Sequence, residues 1–550
     1  MNKILFFSPY YGIIDWAKNS YFLKEKIFKN ADIRSISCNS ILNENCVAIQ
    51  AHSGKFSKEQ ICTRCISNRK YYNKDKKEFI IEDYLNDDDK KNIELILKKI
   101  TRKNFLKFKY QSFKIGRISV HENFIEFRKE DFELSIFEFN RLKMSMKNIL
   151  FNIFALNKII EKFKPDILIT ENGHYSLSRL YVEYFKKLKC KTYAIDASPN
   201  NSLRSSDMHM YKNCTFEAQG YLKKHYKKIS NNHEIKHDGL KISLDHFRYA
   251  FLSKALRNFS KKIDPKNTDV RKYFKIDKNQ KIMLLSTSSY DEVTGTSLLY
   301  YKNPEKYLLF SQVDALKKAI KFVTNNKNYF LIIRQHPRDS QNSSVTHFLK
   351  SLKKLPNNLR INTMKDDISV YNILLETDLV LNSWSSVGLE SSVLGIPTFH
   401  LTDYFTHFPN FSKYDFKYFL NNKSKNFKFS KKALINCYKF IHTYYHLLNI
   451  PVNKKQNFFF DKFLRLIDRV FLFLYLPSFR KFFLRFNNLN KVELKKMHSS
   501  IKNYEDIIYL NKNKKENIGI NSLVEEKIIF KNYIKFKKEM ESDNLQTNLL

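Results

Sequence analysis

Glycine and proline are scarce in this chain, at 10 Gly and 11 Pro in 550 residues. So few turn formers exclude a turn-rich all-β protein and a glycine-rich phosphate loop of the dinucleotide or P-loop kind. Any phosphate bound here must be held by other groups. No run of roughly twenty apolar residues occurs, so no segment is expected to span a bilayer. The apolar opening from Lys3 to Phe7 is broken at once by Pro9 and Gly12, unlike a signal peptide. Together with seven cysteines, an odd number, this predicts a cytoplasmic chain with reduced thiols and no disulfide framework. Acidic residues are also short: 55 Asp and Glu stand against 97 Lys and Arg, for a formal charge of +42. A Lys-, Asn- and Ile-rich bias contributes, but bias alone would raise Asp and Glu as well. The remainder favours anionic partners such as nucleic acid, acidic lipid or a nucleotide-linked substrate. The basic residues gather into no recognisable nucleic-acid module, so nucleic acid is not expected.

What is present is apolar and strand-forming. A hydrophobic content of 43% with 15% aromatics excludes wholesale disorder, and the length allows two or three domains. The stretch Asp378 to Leu401, DLVLNSWSSVGLESSVLGIPTFHL, organises the second half. Leu379 to Leu381 reads as a buried parallel strand, Asn382 to Ser386 as a hydroxyl-rich turn, and Val387 to Leu394 as a helix. Ser385 and Ser386 then sit where backbone N–H groups and a helix dipole favour an anion, with Glu390 one turn further in. The bland reading of the same residues is a serine-capped helix with a solvent-facing Glu. Upstream, the strand Lys281 to Leu285 ends in a hydroxyl-rich turn containing Ser288, and Tyr329 to Ile333 ends in Arg334-Gln335-His336-Pro337-Arg338. Pro337 forces His336 into extended backbone, so Arg334 and His336 form a compact cationic cluster suited to phosphate. The alternative is a basic surface loop.

The first half opens with a strand from Lys3 to Ser8 and a helix from Asp15 to Phe28, which places Asp15 over a sheet edge. A later strand ends in Thr170-Glu171-Asn172-Gly173-His174, followed by a helix from Ser176 to about Lys189 that buries Leu177, Leu180, Tyr184, Phe185 and Leu188. Glu171 and His174 would serve as a base and its partner toward a hydroxyl, or else as a cap and an exposed imidazole. Cys38, Cys46, Cys62 and Cys65 have ligands enough for a thiolate metal site, but only the last pair has zinc-ribbon spacing. A structural, reduced set fits them as well. At the other end, Asn457 to Phe486 alternates aromatics with Arg and Lys; from Lys454 to Phe486 there are eight basic and two acidic residues. That pattern suits the interface of an anionic leaflet, and equally a C-terminal helix packed back on the first domain.

The predicted fold class is α/β, with two Rossmann-like, doubly wound domains over 1–255 and 256–425, and a basic amphipathic helical tail over 426–550. Two such halves, with RQHPR at 334–338 and NSWSSVGLE at 382–390 in the second, resemble the GT-B glycosyltransferases. Among these it resembles the bacterial capsule and surface-polysaccharide enzymes of the Kdo-, sialyl- or polyol-phosphate-transferase-like kind. The resemblance covers roughly residues 1–405. It implies a nucleotide-sugar donor in the second domain, CMP- or CDP-linked first. His336, Ser385 and Ser386 would lie on its phosphates and Glu390 on its ribose. The related first-domain motif is D/E-D/E-G, where this chain has Glu171-Asn172-Gly173, so the base stays open between Glu171, His174 and Asp15. No Asp-x-Asp occurs in either phosphate-binding turn, which predicts metal-independent transfer with no cofactor. The expected acceptor is a glycan or lipid-linked glycan, and the expected location is the cytoplasmic face of the membrane. A sugar-nucleotide epimerase or hydrolase on the same scaffold, or a non-catalytic membrane- or nucleic-acid-binding protein, are the competing readings.

Overall fold

In a computed structural model of the chain, residues 2–451, apart from short interior stretches of which 296–311 is the longest, and residues 522–542 are described. Two sheets organise them. The first has seven strands: β1 (Lys3–Phe7), β2 (Asp32–Ser37), β3 (Lys77–Ile80), β4 (Ile167–Glu171), β5 (Lys191–Ala197), β6 (Asp207–Lys212) and β12 (Ile450–Pro451), in the order β12-β6-β5-β4-β1-β2-β3. β1 to β5 pair in parallel, while at one edge β6 pairs antiparallel with β5 and β12 antiparallel with β6. The second sheet is all parallel, with β7 (Lys281–Ser286), β8 (Tyr329–Arg334), β9 (Leu359–Asn362), β10 (Leu379–Asn382) and β11 (Thr398–His400) in the order β11-β10-β7-β8-β9.

Helices cover both faces, and this is why β1, β7, β8 and β10 read as near-continuous apolar runs. In β1, Ile4 and Phe6 pack into one core and Leu5 and Phe7 into another. All six residues of β8, YFLIIR, are buried. Helix starts follow local chemistry: Ser57 with Gln60, Asn86 with Asp89 and Ser135 with Glu138 each form a reciprocal capping box. The helix after β4 spans Ser176–Lys187 and buries Leu177, Leu180 and Phe185. Leu188 is not part of that face: the helix stops one residue before it, and it is 50% exposed.

The chain beyond β11 returns to the first domain. The helix Lys431–His442 leads into β12, whose Ile450 pairs with Met208 of β6. Asn449 Oδ1 is shared by Ser198 Oγ and His209 Nε2. The helix Ser522–Glu541 adds Ile529, Phe536 and Met540 to the same core as Phe247 and Phe251. Residues 457–486, read above as a membrane contact, lie outside the described residues.

Candidate functional site

Each sheet has one point where the strand order reverses, between β7 and β10 in the second and between β1 and β4 in the first. Ligands of open α/β sheets bind in the crevice that this leaves at the carboxyl ends. In the second sheet, His400, Asn382, Ser286, Arg334 and Asn362 are successive partners across all five strands, so the turns that follow leave from one row. The turn after β7 then ties its neighbours together. Thr287 Oγ1 accepts the His336 N–H at 2.9 Å, and Ser288 Oγ accepts the Trp384 N–H at 3.1 Å. The indole Nε1 of Trp384 donates to Ser289 O at 3.1 Å. The two sequence motifs therefore hang from a common strut.

Within that edge the singled-out residues divide. Ser288 is buried and accepts from Trp384, while its own N–H donates to Gln312 Oε1 at 2.8 Å. Arg334 is buried too, and its Nη1 donates to Asn362 Oδ1 at 2.7 Å and Thr363 O at 2.8 Å. Both hold the edge together. His336 and Pro337 are half-buried, with His336 Nδ1 accepting the Arg338 N–H at 3.3 Å, which favours the tautomer protonated at Nε2. Arg338 itself is paired with the buried Asp291 at 2.8 Å. Ser386 is exposed at the start of the helix Val387–Val393 and makes no side-chain cap, and Ser385 Oγ accepts the Val387 N–H at 3.4 Å. Glu390 is only 6% exposed, contrary to a solvent-facing reading. Burial pushes its carboxyl up to about 7, against a hydrogen bond from Ser386.

In the first sheet, the turn after β4 needs its glycine. Gly173 has φ +76°, and a Cβ there would meet Asn213 O at 2.5 Å and Cys214 Cβ at 2.6 Å. Asn172 Oδ1 accepts the N–H groups of His174 at 3.0 Å and Tyr175 at 3.4 Å, a structural task that needs an acceptor oxygen and no charge. Glu171 and His174 are both half-buried at this turn. The structure adds residues that the sequence did not single out. Glu122 is buried and accepts the Ser176 N–H at 3.0 Å, holding the start of the helix after β4, and burial pushes its carboxyl up to about 7. His121 lies edge-on to His174 at 4.7 Å between ring centroids, and burial lowers its imidazole to about 4. Phe216 meets His174 at 4.6 Å. Tyr10, at the end of β1, is fully buried; that burial raises its phenol well above its ordinary value, and Cys46, Glu122, Glu171 and Tyr175 add to the rise. Asp15 lies in the first turn of the helix Ile14–Phe22, and its side chain lies outside the described residues. No local pattern marked His121, Glu122 or Phe216, since they reach the turn from other elements.

The two edges meet. Gly295, beyond the β7 turn, lies against His121, where a Cβ would be 3.1 Å from its Cα. Glu130 Oε2 accepts the Ser344 N–H at 3.0 Å across the same junction. The chain beyond the β7 turn thus reaches the first domain at His121, whose ring touches His174.

Cys38, Cys46, Cys62 and Cys65 border one cavity of about 20 Å³, the room of a single water. Burial raises the thiols of Cys38 and Cys62 and takes Cys46 to about 11, so neutral thiols are favoured. Among the described residues no group of three or more His, Cys, Asp or Glu is arranged to hold a metal ion. Nor is any described helix long and apolar enough to cross a membrane.

Two doubly wound α/β domains whose carboxyl edges face each other constitute a GT-B-type scaffold. No family model and no curated protein matches the chain. Solved structures similar to it include a β-Kdo 2,7 transferase, KpsC of Thermosulfurimonas dismutans, at 11% identity and TM-score 0.30, covering 58% of this chain and 90% of that one. A UDP-GlcNAc 2-epimerase of Methanocaldococcus jannaschii matches at 13% identity and TM-score 0.23, covering 73% and 83%. The glycosyltransferase SnogD of Streptomyces nogalater matches at 8% identity and TM-score 0.22, covering 81% and 96%. Superpositions this loose carry no argument for function.

Proposed function

We propose that this protein is a metal-independent glycosyltransferase that moves a sugar from a nucleotide-activated donor, CMP- or CDP-linked first, to a hydroxyl of a surface-polysaccharide or lipid-linked acceptor at the cytoplasmic membrane face. The supporting observation is that the His336 turn and, through Trp384, the Ser385-Ser386 turn are both hydrogen-bonded to the turn after β7, and that Gly295 beyond that turn lies against His121. In the reaction the acceptor oxygen bonds to the donor's anomeric carbon. The bond from that carbon to the phosphate oxygen breaks, and its electron pair leaves with the nucleotide. The hydroxyl proton passes to Glu171 or His174, with Asp15 the third candidate. His336 and the two serines receive the developing phosphate charge, and Glu390 holds the ribose.

The test is product analysis of the purified protein with CMP-, CDP- and UDP-linked sugars, with and without an oligosaccharide acceptor. A glycosidic product that requires acceptor and disappears in His336→Ala supports the reading. Conversion of the nucleotide sugar without acceptor replaces it by an epimerase or hydrolase.

A further inference from the structure

The helix Ser522–Glu541 carries two apolar faces. Ile529, Phe536 and Met540 point into the core. Leu523 and Ile534, on another side and 68% and 51% exposed, border an open groove of about 520 Å³, whose floor includes Phe530, itself half-buried against the core. Lys431, Lys527 and Lys531 line the same groove. Its one acidic member, Glu526, is paired with Lys431 at 2.8 Å. The inward face explains why the helix folds onto the domain; it does not explain a second apolar stripe edged with ammonium groups. A stripe meant for water would not align an exposed leucine and an exposed isoleucine on one face. One meant for the protein's own core would not be rimmed with lysine.

We propose that this outward face of the helix Ser522–Glu541 docks on an anionic lipid surface, with Leu523 and Ile534 entering the headgroup boundary and Lys527 and Lys531 meeting lipid phosphates. Charge complementarity selects the occupant, because apolar burial and cationic attraction act together only where hydrocarbon lies beneath negative charge. The net charge of +42 draws the whole molecule to the same surface. The helix is fixed to the first domain by the Arg248–Glu539 pair at 2.7 Å, so docking through it would set how the domain stands on the membrane. The inference does not depend on the transferase reading.

The experiment is co-sedimentation of the full chain with vesicles of phosphatidylcholine alone and with phosphatidylglycerol added. The wild type should bind the anionic vesicles and release them at high salt. Leu523→Gln/Ile534→Gln and Lys527→Glu/Lys531→Glu should each weaken binding about tenfold. All four positions lie on the helix surface away from the core, so the variants should keep the wild-type melting temperature and any nucleotide-dependent rise in it. Unchanged vesicle binding in both variants overturns the proposal, as does a wild type that does not prefer anionic vesicles. A wild-type dimer in solution that either variant dissociates overturns it too, by making a second copy the occupant.

Discussion

Glu390 stands one turn inside the helix after the serine turn, buried, with a carboxyl held near 7 against an ordinary 4.5. The folded state therefore binds a proton that the unfolded state has already lost. Its stabilising contribution is complete below about 4.5 and disappears as pH rises through 7. Glu390→Gln should remove that dependence: between those pH values the wild type loses about 3 kcal/mol that the variant keeps. Denaturant melts across the range measure this, and parallel slopes for the two proteins would contradict it. Gly173 makes a second prediction. Its positive φ and the carbonyl of Asn213 leave no room for a Cβ, so Gly173→Ala should cost about 1–3 kcal/mol and displace Glu171 and His174. Equal melting temperatures would show that the turn yields. The sequence marked Gly173, His336 and Glu390 because each stands in a short motif at a strand end. It did not show that Ser288 and Arg334 turn inward, because that depends on Gln312, Trp384 and Asn362, which only the folded sheet brings near.

Among elements, the apolar parallel strands β1, β4, β7, β8 and β10 were readable because both faces are covered. β3, where KEFI buries only Phe79, was not, nor were β6 and β12. Asp207 to Lys212 has no partner in sequence that signals an antiparallel edge, and β12 is two residues that pair only because the chain returns from the second domain. The helix Ser522–Glu541 falls in the stretch read as a helical tail, but its place in the core of the first domain was hidden by a Lys- and Glu-rich sequence. Its attachment rests on a buried contact: Arg248 Nε and Nη2 both donate to Glu539 Oε2, at 2.9 and 2.7 Å, while Nη1 reaches Asp245. Glu539→Ala leaves a buried guanidinium with one carboxylate fewer and should cost about 2 kcal/mol. A lower melting temperature, with limited proteolysis cutting near residue 522, is the expected outcome; an unchanged melt would show the helix to be held by its apolar face alone.

For the molecule as a whole, the chain after β12 is, in its helix Ser522–Glu541, part of the first domain's core. Removing everything after Lys454 would also remove Ile529, Phe536 and Met540 from the core, so loss of membrane binding by that truncation would say nothing about residues 457–486. Internal replacement of 457–486 by a polar linker keeps that helix and isolates that contact. The central claim is that two separated turns, joined through the turn after β7, hold one nucleotide. Thermal melting of the purified protein against CMP, CDP, UDP and GDP tests it most directly, because a ligand that binds only the folded state raises its melting temperature. The account predicts a rise with a cytidine nucleotide that is lost in both His336→Ala and Glu390→Ala. No rise with any of the four, or a rise that survives both substitutions, would contradict it.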